Sequence, residues 1–485
     1  MTGNVWVVLP LAWVGGGAFL LGLIGRLWRR ARNPILAALT ALIFGGGLLL
    51  QLPVFAEVNG ALLGNGGLPR WGTAAPGGIV LEATPSALLL STLALGMGLC
   101  AALYSGGYMA RDPRYPVYYP LLLLMVAGLQ GMLLTTDLFN LYLFCELMSV
   151  AAYALVAFRR HTDTAIEAGF KYLILGSVGT LVMLFGIACI YREMGELALP
   201  LAAFAHGIWG RVGTASILVG LGLKSGIVPL HTWLPDAYGR APSSVSALLA
   251  SVVSKSTLIV LLQVCLGLGM PASDLGLLLI LFAFLNMTLG NGLALVQENT
   301  KRLLAYSSIA QTGYIMFSLG VGLRYGLPGA LQAGMFLLLT HAVMKATAFF
   351  SKGVCHFYCD TSTVAELRGT AQQLPLAALT FSLAVAGLAG VPPLAGFVSK
   401  WFILAEGVRA ADALIYVGMA IFLLNSLLAL GYYLPLIVRV FQPLDKEDTA
   451  PRFALSPWMA GVLLLLGALI IAIGLSPGPW LAWVG

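Results

Sequence analysis

The stretch Gly222-Leu223-Lys224-Ser225-Gly226-Ile227-Val228-Pro229-Leu230-His231-Thr232-Trp233-Leu234-Pro235-Asp236 places a lysine, a histidine and two prolines in a region otherwise apolar enough to cross a bilayer. A proline removes an intrahelical donor and frees a carbonyl. In hydrocarbon such a break is tolerated only where protein or a water-filled cavity satisfies the freed groups. A charge near the bilayer centre costs roughly 2.5–3.5 kcal/mol on insertion scales. The stretch therefore reads as a broken membrane helix whose polar middle faces protein or a water-filled cavity.

A second stretch has the same character: Gly390-Val391-Pro392-Pro393-Leu394-Ala395-Gly396-Phe397-Val398-Ser399-Lys400. Broken segments in corresponding positions of two halves are the sequence mark of repeat-built transporters with sites near the midplane. Packing kinks alone would account for the prolines, but a lysine beside each break favours function. Glu146 and Lys255 also lie deep within apolar runs. Ionisable residues so placed point by default to an ion or proton path.

Working outward, the 485 residues are 59% hydrophobic and only 9% charged, with a mean hydropathy of +0.93. A soluble domain carries about 25% charged residues, so a globular enzyme is excluded and an all-α polytopic membrane protein is expected. The 58 glycines suit closely packed membrane helices. The net charge of +7 comes with no nucleic-acid patch, phosphate loop or flavin fingerprint. Met1 to Pro10 has no basic n-region, so the first apolar run is expected to be a retained helix and not a cleaved signal.

A hydrocarbon core about 30 Å thick needs roughly 20 apolar residues per helix. On that measure fourteen spans are expected, near 5–25, 35–52, 84–104, 117–135, 138–158, 165–190, 212–238, 242–268, 274–296, 303–322, 327–351, 375–404, 411–438 and 456–475. With the N-terminus outside, sixteen Lys and Arg fall on cytoplasmic segments, among them Arg29, Arg30, Arg160, Lys352 and Lys446, against five on the opposite side. The bias predicts both termini on the non-cytoplasmic side of a cell (inner) membrane. The longest loops, Gln51 to Glu82 and Phe441 to Ser456, are too short to be domains, so any redox chemistry belongs to another polypeptide.

Lysine suits proton relay because burial lowers its affinity for a proton, while a nearby carboxylate restores it. Glu146, in Asp137-Leu138-Phe139-Asn140-Leu141-Tyr142-Leu143-Phe144-Cys145-Glu146-Leu147-Met148-Ser149, is a candidate partner for Lys224. His341 and Lys345 are four apart on one helix face. A satisfied structural histidine is the plainer reading of His341, and the neighbouring lysine makes a relay equally tenable. Lys171 follows Asp163 and Glu167 at four-residue steps and reads as part of a solvated ion-pair ladder. His231 is a possible water entry, and His161 and His206 are expected in loops. Most of the six cysteines read as small core residues. Cys355-His356-Phe357-Tyr358-Cys359-Asp360 is weak spacing for a metal, and no metal site is expected.

At these residues the chain resembles the antiporter-like membrane subunits of the complex I superfamily, found in respiratory complex I, membrane-bound hydrogenases and Mrp-type sodium/proton antiporters. The matching stretches are Asp137 to Tyr153, Gly222 to Ala247, Lys301 to Gly313, His341 to Phe349 and Gly390 to Lys400. The resemblance implies fourteen membrane helices with two inverted five-helix repeats, about residues 117–268 and 274–438, each with one broken helix. Residues 1–116 would form helices one to three and 456–475 the last. It also implies roles: Glu146 modulating Lys224, Lys255 as central relay, Lys400 as terminal lysine, and His341 and Lys345 linking toward it. No long lateral-helix extension follows helix fourteen, and position 400 is Lys where one complex I member has glutamate. His231 to Ala237 and Glu366-Leu367-Arg368-Gly369 look more like the complex I and hydrogenase branch.

Three functions are open at this stage. The first is a proton-translocating subunit of an energy-converting oxidoreductase, with no cofactor on this chain, other membrane subunits and peripheral redox subunits as partners, and no nucleic acid. The second is a subunit of an Mrp-type exchanger without redox chemistry. The third, a membrane scaffold with a vestigial polar axis, is opposed by the intact set of lysines.

Overall fold

The computed structural model describes residues 3–27, 32–64, 67–72, 78–159, 162–200, 207–444 and 452–484. Arg29, Arg30, Arg160, His161, His206 and Lys446 lie outside the described residues. Of the described residues, 82% are helical. Among the described residues eleven helices are long and apolar enough to cross a membrane.

The chain forms two compact units, residues 1–225 with 252–271, and 226–251 with 272–485. The first contains α1 (Val5–Leu27), α2 (Asn33–Leu62), α3 (Pro85–Tyr108), α4 (Tyr115–Leu134), α5 (Leu138–Val156), α6 (Asp163–Met194), α7 (Ile208–Ser225) and α10 (Ser254–Gly267). The second contains α8 (Trp233–Arg240), α9 (Ser243–Leu248), α11 (Ala272–Leu295), α12 (Thr300–Tyr325) and α13 (Pro328–Cys359). It continues through α14 (Thr370–Gln373), α15 (Pro375–Ala389), α16 (Ala395–Arg409), α17 (Ala413–Phe441), α18 (Pro457–Leu475) and α19 (Gly478–Val484).

Two expected boundaries change. α2 runs to Leu62, ten residues past the expected end at 52. The remaining loop folds into an antiparallel pair, β1 (Arg70–Gly72) with β2 (Val80–Glu82), in register Trp71 with Leu81. α13 runs to Cys359, so Lys352 is a buried helical residue and not a loop charge. The segments expected at 212–238 and 375–404 are each divided, and α12 is too polar to pass as a span by hydropathy.

Solvent logic is inverted in these helices. On α17 the inward positions Ile415, Gly418, Phe422, Asn425, Ala429, Tyr432 and Leu436 recur at helical spacing. Its outward face carries exposed Leu423, Leu424, Leu427, Leu434 and Val438. Apolar residues on both faces fit a helix with protein on one side and lipid on the other. Small residues bring helices together, as expected where lipid supplies no hydrophobic drive. A Cβ at Gly186 of α6 would lie 2.6 Å from the Gly213 carbonyl oxygen of α7.

Both predicted breaks are present. α7 stops at Ser225, and Gly226 takes a left-handed φ of 73° that other residues resist. α15 stops at Ala389, with Gly390 at φ 92°. The helix resumes at Trp233 in the first case and Ala395 in the second.

Candidate functional site: a set of buried lysines at helix breaks

In the first unit, Lys224 sits in the last turn of α7 and is 3% exposed. Its ammonium donates to Ser149 Oγ at 2.6 Å and Tyr153 OH at 2.7 Å, and lies 5.2 Å from the Tyr153 ring centroid. Both partners are on α5, and with Glu146 they follow an i, i+3, i+7 series on one face. No ion pair joins Glu146 to Lys224. The carboxylate, half-buried, is three residues before Ser149, about 4.5 Å along the helix axis. The arrangement gives the Lys224 ammonium two hydroxyl acceptors on α5, with a carboxylate one turn along the same helix.

Lys255 is fully buried in α10, directly after a π-helical turn at Leu249–Val253 that no sequence pattern announced. Such turns widen a helix and recur at functional sites. Its ammonium donates to Ser254 Oγ at 3.2 Å, and Ser256 and Thr257 beside it are also buried.

In the second unit, His341 and Lys345 lie fully buried on α13. Lys345 donates to the Leu304 carbonyl at 2.8 Å and to Ser307 Oγ, both on α12. The Thr340 and Ser399 hydroxyls, 2.8 Å apart, tie α13 to α16. Lys400, 7% exposed, reaches back from α16 to the Ala389 carbonyl at 3.2 Å. That oxygen belongs to the C-terminal end of α15, where a cation is favoured by the helix dipole. Gln311 donates to the neighbouring Leu388 carbonyl at 3.1 Å, so the break leaves these orphans paired. Lys400 also stands 5.1 Å from the Tyr314 ring centroid. Tyr314 OH accepts from Asn291 at 3.2 Å, and Tyr432 donates to Asn291 Oδ1 at 2.8 Å.

The first break is held within the second unit by Asn286, whose Oδ1 accepts the Val228 N–H at 3.3 Å. His231 is half-buried beyond exposed Pro229, at the outer rim of the break. Lys171 pairs with Glu167 at 2.7 Å on the exposed face of α6, as the ladder reading requires. Among the described residues no three His, Cys, Asp or Glu side chains are grouped to hold a metal ion. Cys355 is buried and Cys359 donates to Gln373 Oε1 at 3.0 Å.

Sequence reasoning therefore found the lysines but not their partners. Ser149 and Tyr153 were detectable as polar residues on the Glu146 face. Ser307, Leu304 and Tyr314 belong to α12, and only tertiary packing brings them to lysines 38 or more residues away.

These features define a polytopic helical membrane subunit with lysines buried within its helices and beside two helix breaks. The chain belongs to the NADH:quinone oxidoreductase/Mrp antiporter transmembrane family, whose model matches residues 135–429. It is 33% identical over 466 residues to NADH-quinone oxidoreductase subunit N of Desulforudis audaxviator, covering 92% of this chain and 90% of that one. It is 32% identical over 401 residues to F(420)H(2) dehydrogenase subunit N of Methanosarcina mazei, covering 80% of each. Among solved structures, a chain of the membrane-bound sulfane sulfur reductase, an archaeal respiratory membrane complex, superposes with a TM-score of 0.86 at 28% identity, covering 99% of this chain and 96% of that one. A chain of Thermus thermophilus respiratory complex I gives 0.77 at 27%, covering 98% of each. A chain of a Dietzia Mrp complex gives 0.85 at 22% identity, covering 99% and 96%, a likeness of fold.

Proposed function

We propose that this chain is a proton-translocating, antiporter-like subunit of a multisubunit energy-converting oxidoreductase. The observation that carries the reading is the burial of Lys224, Lys255, Lys345 and Lys400, whose ammonium groups donate to hydroxyls and backbone carbonyls. A lysine buried this way pays the desolvation cost of charge, which hydrogen bonds to neutral acceptors offset only in part. It gains or loses a proton when a nearby charge changes. Electron transfer on a partner subunit would alter the field at Glu146. Lys224 would respond and pass a proton by way of Lys255 and the His341–Lys345 pair to Lys400, with His231 at a water entry.

The relatives named for NADH-quinone oxidoreductase and F(420)H(2) dehydrogenase support the redox-linked parent, with other membrane subunits and peripheral redox subunits as partners. The shared fold with an Mrp complex keeps the exchanger as the second reading. Fourteen spans in two inverted repeats, with both termini on the non-cytoplasmic face, complete the proposal. The test is mild-detergent extraction of the native complex and mass spectrometry of what co-purifies. Iron–sulfur or hydrogenase-like subunits are expected. Small membrane subunits alone, with no redox centre, would establish the exchanger instead.

A further inference from the structure

Lys352 is a buried lysine that the path above does not use. It is 1% exposed and lies on α13 seven residues after Lys345, two turns or about 10.5 Å along the same face. Its ammonium donates to both the carbonyl oxygen and Oγ1 of Thr361, each at 2.7 Å. The titratable groups around it are Cys355, Glu366, Cys359 and Asp360, and none forms a salt bridge with it.

The surroundings run in steps from the surface inward. Asp360 is 95% exposed and lies 3.5 Å from the His356 imidazole, itself 33% exposed. His356 Nδ1 meets the same Thr361 carbonyl oxygen at 3.0 Å. The loop that carries Thr361 packs on the start of α12, where the Thr300 N–H donates to the Ser362 carbonyl at 3.1 Å. Thr300 Oγ1 is buried and has no hydrogen-bond partner. One turn further along α12 is Leu304, whose carbonyl receives the Lys345 ammonium. An unsatisfied hydroxyl thus sits between the loop that holds Lys352 and the acceptor that holds Lys345. Buried polar groups are nearly always paired, so this hydroxyl keeps bonding capacity that a transient donor or acceptor can use.

A fixed role would be simpler: a cation neutralising carbonyls at the C-terminal end of α13. That role does not call for a half-exposed imidazole on the same carbonyl, or for an orphan hydroxyl on the inner side. We propose that Lys352 is a further proton-bearing residue that joins Lys345 to the membrane surface at which α13 ends, with His356 as the outer acceptor. A proton from water binds the imidazole, passes to the free electron pair of neutral Lys352 Nζ and returns His356 to its neutral form. The next transfer, by way of the Thr361 and Thr300 hydroxyls, protonates neutral Lys345 and leaves Lys352 neutral. No bond other than N–H and O–H changes and no co-reactant is consumed.

The inference rests on the proton-translocation reading, and the test separates the two. The purified complex is reconstituted in proteoliposomes, and proton uptake is followed with a pH-sensitive dye at matched electron-transfer rates. Lys352→Arg keeps a fixed cation at the helix end but does not release its proton. It is expected to leave assembly and the thermal midpoint unchanged while cutting proton uptake about tenfold, and the same loss of uptake is expected of Lys352→Met. Wild-type uptake in Lys352→Arg would make Lys352 a helix-end cation and overturn the proposal. Should Lys352→Arg fail to assemble, Thr300→Val decides, with reduced uptake supporting the proposal and wild-type uptake overturning it. Full uptake in a Lys224→Met control would instead overturn the underlying reading.

Discussion

Replacing Lys224 with arginine separates holding a charge from moving a proton. The lysine gives two hydrogen bonds, to Ser149 and Tyr153, and a ring contact with Tyr153. Arginine keeps a cation and supplies more donors than lysine, so the hydroxyls stay paired. Lys224→Met, by contrast, leaves Tyr153 OH without its partner, while Ser149 still donates to the Cys145 carbonyl at 2.6 Å. One orphaned hydroxyl costs about 1–3 kcal/mol, offset by removal of a desolvated ammonium. Neither variant should lose the fold. The difference lies in proton release. A guanidinium with a pKa above about 12 is deprotonated at pH 7 less than once in about 10⁵ molecules, roughly 7 kcal/mol uphill. If each cycle needs Lys224 to give up its proton, Lys224→Arg abolishes translocation through this subunit. The assay is dye quenching in vesicles driven by the native electron donor, with abundance of the assembled complex measured in parallel. Wild-type proton yield per electron in Lys224→Arg would refute the claim that this lysine titrates.

Three further predictions concern the scaffold. Gly186→Val forces a side chain onto the Gly213 carbonyl, which as backbone cannot swing aside; overpacking of about 1–3 kcal/mol should lower the amount of assembled subunit in membranes, and normal abundance would contradict the close α6–α7 contact. Asn286→Ala removes the acceptor of the Val228 N–H and should cost about 1 kcal/mol, read as a lower thermal midpoint of the detergent-solubilised complex; an unchanged midpoint would mean the break is held by other groups. Glu366 accepts the Ser362 and Thr363 N–H groups at 2.5 and 2.9 Å, which hold its carboxyl below the usual range. A depressed carboxylate stabilises above its unfolded pKa, and that contribution is lost as pH falls through the lower folded value. Glu366→Gln should therefore flatten the acid limb of the stability profile, and an identical acid limb would show that the loop does not depend on this charge.

The broken helices were legible because their signals are local. Proline removes a donor and frees a carbonyl wherever it falls, so the stretches around Pro229 and Pro392-Pro393 marked both breaks, and α7 and α15 stop a few residues before them, at Ser225 and Ala389. The lysines were legible because a charge in an apolar run has no cheap explanation. Boundaries failed where hydropathy fell before the helix ended. α2 continues through Gln51, which is buried and bonds Ser91 at 2.6 Å, and α13 continues through Lys352, satisfied by Thr361. A polar residue with a partner does not end a membrane helix, and the partner lies elsewhere in the sequence. His341, Lys345 and Lys352 do share the helical spacing of one face, and that signal could have extended α13. The π turn before Lys255 lies in a buried segment whose sequence carries no proline or glycine to mark it.

The central claim is that protons move through this chain along its buried lysines. Its most direct test is the number of protons moved per two electrons by the purified, reconstituted complex with Lys255→Met, since Lys255 is fully buried and central to the proposed path. The expected result is a lower ratio than wild type, with the complex assembled and electron transfer still measurable. An unchanged ratio would contradict it.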